Sequence, residues 1–395
     1  MRFAAFSLFV WSLVPAPTAA QETAARTTVV VLGVNHSLQL VAEGYQPAWF
    51  RAFYDRVKPA AFAIERSPEQ FARNDHYEFT YEIQFLTLPY ARAHGIPTHP
   101  VDWYPSLDDQ LLGFGVDVDA PPILRPKNGF QGFLTFPDSS SLRETLFYAD
   151  APAYAAEQRQ WYDVVPEQAA RDLPRRLFLY RTFMQARRIR QAAALYRGRT
   201  LLVVIGSMHK DDIERILRDD PGISIVQPSS FGLPPTDAVQ RAVADDDRFA
   251  IASFNLLGVQ AGTGVVDWAW MRRVVDALPS KSSEAGVLRT RLAVLTGAMP
   301  PERAAPAYAA IAREAGNATF RWTGVKDRRR LDSFFDPFGN LALAQRASLE
   351  EARERYKLGD VGGGDAIRTR LRSALAPAMQ AQLDGYWTAF VVGKK

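Results

Sequence analysis

The chain has 395 residues, enough for two domains at about 150 residues each. Apolar residues make up 47% and charged residues 23%, which excludes collagen, coiled coil and wholesale disorder. The 47 Lys and Arg against 43 Asp and Glu leave a net charge of only +4, so no nucleic acid partner is implied, and the absence of cysteine excludes disulfides, zinc–thiolate sites, iron–sulfur clusters and a thiol nucleophile.

Met1-Arg2 is a short basic start, followed by an apolar run over residues 3–14 that only Ser7 and Ser12 interrupt. Pro15 and Pro17 break the run, and Thr18-Ala19-Ala20 offers a small-residue cleavage site. Residues 1–20 are therefore expected to be a signal peptide, too short to span a bilayer, and the protein to be exported, periplasmic or extracellular. No later run reaches the roughly 18 apolar residues of a membrane helix, so no transmembrane segment is expected after its removal.

The remainder begins as an α/β pattern. Residues 27–32 (TTVVVL) predict a first strand ending at Gly33. Trp49, Phe50, Phe53, Tyr54 and Val57 recur at helical spacing, and Pro59 stops that helix. Residues 60–64 predict a second strand ending at Glu65. A helix over about 77–94 carries Ile83, Leu86 and Tyr90 on one face, with Pro89 as a kink or new start and Gly95 just past its end. Residues 96–101 predict a third strand ending at Asp102. Residues 105–150, rich in Pro, Gly, Asp and Ser, read as an insertion with a possible hairpin at Asn128-Gly129. A helical region spans about 153–197. Residues 200–205 (TLLVVI) predict a fourth strand ending at Gly206, and a helix over 211–218 leads to a fifth strand at 223–227.

Strands alternating with helices imply βαβ units in a mainly parallel sheet flanked by helices, and continuous Val, Leu and Ile runs fit strands buried on both faces. Pro234-Pro235 marks a boundary. The expected organisation is an α/β domain over 21–232 and a mainly helical region over 233–395. In the latter, Asp267 is an expected N-cap, residues 288–295 and 304–315 are helical, and Gly362-Gly363-Gly364 is a flexible loop. Its arginine run at 328–330 reads as a solvated face, and Phe334, Phe335 and Phe338 as core; this half could cover the mouth of a site or bind a partner.

The polar residues fall at informative places. His36 lies three residues after Gly33, Glu65 ends the second strand, Asp102 ends the third, and His209 lies three residues after Gly206. In an open parallel sheet the carboxyl ends of the strands share the edge where ligands bind. Two imidazoles and two carboxylates are thereby gathered on one rim. Gly33 and Gly206 are expected to let the chain turn sharply off each strand. Of the other histidines, His94 fits a helix end, His99 a strand, and His76 a surface loop.

These residues carry a resemblance. The pattern is similar to the superfamily of the TraB/GumN proteins, the Tiki proteases, the erythromycin esterases and the ChaN-like haem-binding proteins, whose marks are a strand followed by Gly-x-x-His, a Glu ending the next strand, and a second strand with Gly-x-x-His. Here these fall on His36, on Glu65 in Ala63-Ile64-Glu65-Arg66, and on His209. Arg181, in Tyr180-Arg181-Thr182-Phe183-Met184, matches an arginine on the helix before the second motif, and Glu82 and Asp102 resemble positions in the bacterial branches. The likeness covers about residues 27–230. The first motif here, Gly-Val-Asn-His, lacks the Thr or Glu common elsewhere, and the insertion is unlike the compact members.

Two chemistries fit this set. Two neutral imidazoles and a carboxylate can hold a divalent metal (Mn, Co, Fe or Zn) that acidifies a water and polarises a carbonyl. Without metal, His36 would act as general base oriented by Glu65, with His209 or Arg181 steadying the oxyanion. Both end in hydrolysis of an ester or amide in a small-molecule or peptide substrate. The other expectations are a haem-binding protein using His or Tyr as axial ligand, and a non-catalytic scaffold.

Overall fold

The computed structural model describes residues 25–114, 135–163 and 169–392. The expected signal peptide and the Asn128-Gly129 turn lie outside these residues.

Five strands form one all-parallel sheet in the order β3-β2-β4-β1-β5: β1 (Thr27–Val34), β2 (Ala61–Ile64), β3 (Thr98–Pro100), β4 (Thr200–Gly206) and β5 (Ile223–Ile225). The protein is an α/β fold with a mainly helical C-terminal region. The central pair β1 and β4 runs in register from Thr28 opposite Thr200 to Val34 opposite Gly206. Their runs of β-branched and aliphatic residues are buried on both faces, as a doubly covered parallel sheet requires. Val30, Leu32, Phe62, Ile64, Leu202 and Val204 face one apolar cluster, and Val29, Val31, Ala63, Leu201, Val203 and Ile205 face another. That period of two divides the core between the two sides of the sheet.

Helix α1 (Pro47–Val57) begins on a proline at its first turn, where no backbone donor is lost, and buries Phe50, Phe53 and Tyr54 against the first face. Helices α2 (Ala169–Ala193) and α3 (Ser207–Arg218) cover the second with Ala186, Ile189, Ile213 and Leu217. The connections leaving β1 and β4 therefore lie on opposite faces. The crevice between these two strand ends is the topological switch point of the sheet.

Several boundaries differ from the sequence reading. β1 runs through Gly33 to Val34. Helix α3 starts at Ser207, so His209 lies in its first turn and not in a loop. The stretch around Pro89 is a wide π-type turn (Glu82–Thr87) followed by a short helix (Leu88–Ala93) with the proline in its first turn. Gly95 follows at φ +63°, the left-handed geometry that ends helices. Gly362-Gly363-Gly364 is no loop: it opens the helix Val361–Ser373, because the Asp360 carboxylate accepts from the Gly363 N–H at 2.9 Å and starts the turn.

The C-terminal helices are not a detached body. Phe249 and Phe254 of α4 (Asp245–Leu256), Leu288 of α5 (Ser283–Leu295), Tyr308 of α6 (Pro301–Glu314) and Leu343 of α7 (Leu343–Lys357) belong to the same apolar cluster as α1 and its face of the sheet. Asp267 caps the helix Trp268–Asp276, accepting from the Trp270 N–H at 2.9 Å. A smaller core of Leu331, Phe338, Leu349, Ile367, Leu383 and Trp387 closes the far end. Among the described residues no helix is long and apolar enough to cross a membrane.

Candidate functional site

Four neighbouring strands each deliver one residue to a common rim: Asp102 after β3, Glu65 after β2, His209 after β4 and His36 after β1. The backbone fixes the row. Glu65 N–H reaches the Val204 carbonyl and Asp102 N–H the Arg66 carbonyl, so each strand end is tied to the next. The rim is shallow: the side chains of His36 and Arg181 are each 21% exposed, while Glu65, Asp102, Glu82 and His209 are buried.

Glu65 is the hub. Its Oε2 lies 3.7 Å from His36 Nε2, and its Oε1 lies 3.6 Å from His209 Nε2. Arg181 Nη2 donates to Oε1 at 2.9 Å, and the Gly206 N–H donates to Oε2. A Cβ on Gly206 would stand 3.1 Å from Glu65 Oε2 and 3.2 Å from His36 Nε2. A Cβ on Gly33 would stand 2.9 Å from the Ala149 Cβ and 3.1 Å from the Ser207 Cα. Both glycines are thus needed because no Cβ fits there; neither uses the freedom of a positive φ.

Each imidazole is pinned through its other nitrogen. His36 Nδ1 donates to Glu82 Oε1 at 2.7 Å, and Gln39 Nε2 supports Glu82 Oε2 at 3.4 Å. Burial alone would depress His36. The Glu82 carboxylate, by charge and hydrogen bond, and the Glu65 charge outweigh it and carry the pKa up to about 9. After His36 the chain passes through Ser37 at φ 62°, a costly geometry held by the Ser37 hydroxyl bond to the Phe79 carbonyl at 2.6 Å.

His209 is anchored to Thr182, whose Oγ1 lies 2.6 Å from Nδ1. The same hydroxyl donates its single proton to the Phe178 carbonyl at 2.9 Å, so toward His209 it accepts, and Nδ1 carries the hydrogen. The Nε2 lone pair therefore faces Glu65. Burial depresses the His209 pKa to about 4, against the pull of Glu65, so this ring is neutral at neutral pH. Phe178 stacks on it at 4.5 Å.

Arg181 bridges the carboxylates. Its Nε and Nη2 grip Asp102 at 2.8 and 2.6 Å, and Nη2 also reaches the Tyr104 hydroxyl at 3.2 Å. Burial would raise the Asp102 carboxyl, but Arg181 and a 2.7 Å bond from Gln185 hold it below the ordinary carboxylate range. Phe178, Arg181, Thr182 and Gln185 sit at i, i+3, i+4 and i+7 of α2, one helix face turned to the rim.

Seven of the eight residues expected from sequence are brought together: His36, Glu65, His209, Arg181, Asp102 and Glu82 through side chains and Gly206 through its backbone, whereas Gly33 lies in β1 against Ala149 and Ser207, outside the cluster. Thr182, Phe178, Tyr104 and Gln185 were not foreseen; the helical spacing from Arg181 is the signal that could have found all but Tyr104. The remaining histidines lie apart. His94 Nδ1 meets the Tyr90 carbonyl at a helix end, His99 bonds the Tyr196 hydroxyl, and His76 bonds Asn74.

The donor types suit a divalent metal. Two ligands about 2.1 Å from one ion and about 120° apart would stand roughly 3.6 Å from each other, the separation of each Nε2 from Glu65. Yet both Glu65 oxygens already accept hydrogen bonds, one from a cation, and among the described residues no group of three or more His, Asp or Glu side chains is arranged to hold a metal ion. Comparison with protein-family models, curated proteins and solved structures found no match.

Proposed function

We propose that the rim is a hydrolytic centre of an exported protein, acting on an ester or amide bond in a small-molecule or peptide substrate. One observation carries this reading: two imidazoles from independent Gly-x-x-His segments turn Nε2 toward opposite oxygens of one buried carboxylate, within 3.7 Å. A water placed there is oriented by the His209 lone pair and gives its proton to Glu65, which Arg181 and the Gly206 N–H hold in place. His36 takes the acid role and not the expected base role, because a group with a pKa of about 9 is protonated at neutral pH. Its Nε2–H is the donor for the developing oxyanion and then for the leaving group. The resemblance to the TraB/GumN, Tiki and erythromycin esterase superfamily supports the same reaction class.

The separations noted above favour one second reading, in which His36, Glu65 and His209 hold a divalent metal. When bound, it would supply the acidified water and the polarised carbonyl, and would replace the His36 proton as the positive charge the site requires.

The test is hydrolysis of p-nitrophenyl esters and aminoacyl anilides by the protein after dialysis against EDTA, with metal analysis before and after. Retained hydrolysis that falls about 100-fold or more in Glu65→Gln and His36→Gln supports the metal-free centre. Stoichiometric metal whose removal abolishes hydrolysis, and which is lost in His36→Ala or His209→Ala, moves the assignment to the metal. No hydrolysis in either state, or hydrolysis that the variants retain, overturns the proposal.

A further inference from the structure

Aromatic rings flank three of the polar groups on the rim. Phe79 meets the His36 ring at 5.3 Å, Phe178 stacks on the His209 ring at 4.5 Å, and the Arg181 guanidinium lies 4.8 Å over the Tyr104 ring. All three aromatics are half-buried. Tyr77 joins two of them: it stacks on Phe79 at 4.9 Å and meets Tyr104 edge-on at 5.7 Å. Phe79, Tyr77 and Tyr104 therefore make a continuous wall from His36 to Arg181, and Phe178 stands at the other imidazole. The charges of the same rim are matched internally. His36 pairs with Glu82 at 2.7 Å, and Arg181 pairs with Asp102 at 2.6 Å and with Glu65 at 2.9 Å.

We propose that these rings select the substrate, an uncharged ester or amide that carries an aromatic group beside its carbonyl. The inference rests on the hydrolytic reading for the bond that is cleaved, and on the rings alone for the group that is bound. A charged substrate group would have to break one of the existing pairs and leave a buried charge unmatched. An aromatic group breaks none. With the carbonyl oxygen at His36 Nε2–H, the ring lies against the Phe79–Tyr104 wall, and Phe178 offers a second face beside His209. Offset or edge-on aromatic pairs gain more than their buried area alone supplies, a gain that an aliphatic group of the same size does not make. The shallow rim suits a flat group for the same reason. Phe79, Tyr104 and Phe178 are in this account specificity-determining residues, while the proton transfers stay with Glu65 and His36.

The experiment titrates the purified protein by NMR with two unreactive ketones of matched size, benzylacetone and its cyclohexyl analogue. In parallel it compares hydrolysis of methyl hydrocinnamate and its cyclohexyl analogue. Benzylacetone should bind about fivefold more tightly than the cyclohexyl ketone, and kcat/KM should favour the aromatic ester by a similar factor. The double variant Phe79→Leu/Phe178→Leu should bring both ratios to about one. Phe178→Leu alone should lower them in a protein of unchanged melting temperature, and Tyr104→Phe, which keeps the ring, should retain them. Equal binding of the two ketones, binding of neither, or a preference that the double variant keeps would overturn the assignment. A ketone preference that the variants abolish, in a protein that hydrolyses none of the esters, would support selection by the rings and remove the hydrolytic reading alone.

Discussion

Two histidines that share one carboxylate are driven in opposite directions: the charge and hydrogen bond of Glu82 raise His36 against its burial, whereas burial lowers His209. His36 has a buried carboxylate on Nδ1; His209 has a hydroxyl and an aromatic ring. The consequence for stability follows from linkage. For the metal-free protein, the His36 pKa rises from 6.5 to about 9, so its contribution is complete below 6.5 and is lost as the pH rises through about 9. That of His209 falls from 6.5 to about 4, so its contribution is complete above 6.5 and is lost as the pH falls toward 4. Each limb is worth about 3 kcal/mol at most. Unfolding in urea across pH 4–9.5 should show a maximum near neutrality, with the alkaline limb reduced in His36→Gln and the acid limb in His209→Gln. A parent-like profile in both variants would contradict these assignments. Thr182 is testable through the tautomer it selects. Nitrogen-detected NMR of the imidazoles should place the His209 hydrogen on Nδ1. Thr182→Val should release that preference and cost about 1–3 kcal/mol for the unmade bond, while Thr182→Ser keeps both. An Nε2–H tautomer in the parent would remove the lone pair on which the water-binding geometry depends.

The strand ends explain what was legible. Apolar runs revealed β1, β2 and β4, and the shorter β3 and β5 were placed by their alternation with helices; a parallel sheet by itself brings their carboxyl ends to one edge. That is why His36, Glu65, Asp102 and His209 could be placed together without coordinates. Glu82 and Thr182 were harder: their helices show a burial face, but not which polar residue on it meets an imidazole, since that depends on how deeply each helix packs. The glycine role was only half legible for a similar reason. A Gly after a strand suggests turn geometry, whereas the requirement here is the contact across to the next segment. Gly206→Ala therefore separates site from fold. Its Cβ would press on Glu65 and His36 at 3.1–3.2 Å. Hydrolysis should fall about tenfold, because the groups that must give by a few tenths of an ångström are the reacting ones, while stability changes by less than about 2 kcal/mol. Gly33→Ala meets the Ala149 Cβ and the Ser207 backbone, which cannot swing aside, and should cost more stability, about 1–3 kcal/mol. The reverse order in urea midpoints would mean that the Gly206 region is the more rigid of the two.

Across the whole molecule, composition suggested two units joined at Pro234-Pro235, yet the α1 face of the sheet has no separate core of its own. Val30, Leu32, Phe62 and Leu202 share one cluster with Phe249, Phe254, Leu288 and Tyr308. Polar ties cross the same boundary: Arg51 with Asp247, Asn255 with the Leu40 carbonyl, and Glu78 accepting from Lys326 N–H and Phe334 N–H. The last tie bears on the site, for Phe334 packs against Phe79 at 5.4 Å and Phe79 against His36 at 5.3 Å. The C-terminal half thus backs the imidazole rather than lying remote from it. Helical periodicity cannot reveal this, because an apolar helix face reads the same whether it meets its own bundle or a sheet. Removing residues 233–395 would expose several large side chains, each worth about 1.5–3 kcal/mol of burial, more than the 5–15 kcal/mol margin of a typical domain. Residues 25–232 alone are expected to bind a hydrophobic dye and to lack a cooperative urea transition. The full chain should unfold with one transition by tryptophan fluorescence and circular dichroism. A soluble, cooperatively folding 25–232 fragment would restore the two-unit organisation read from the sequence and detach the C-terminal helices from the support of His36.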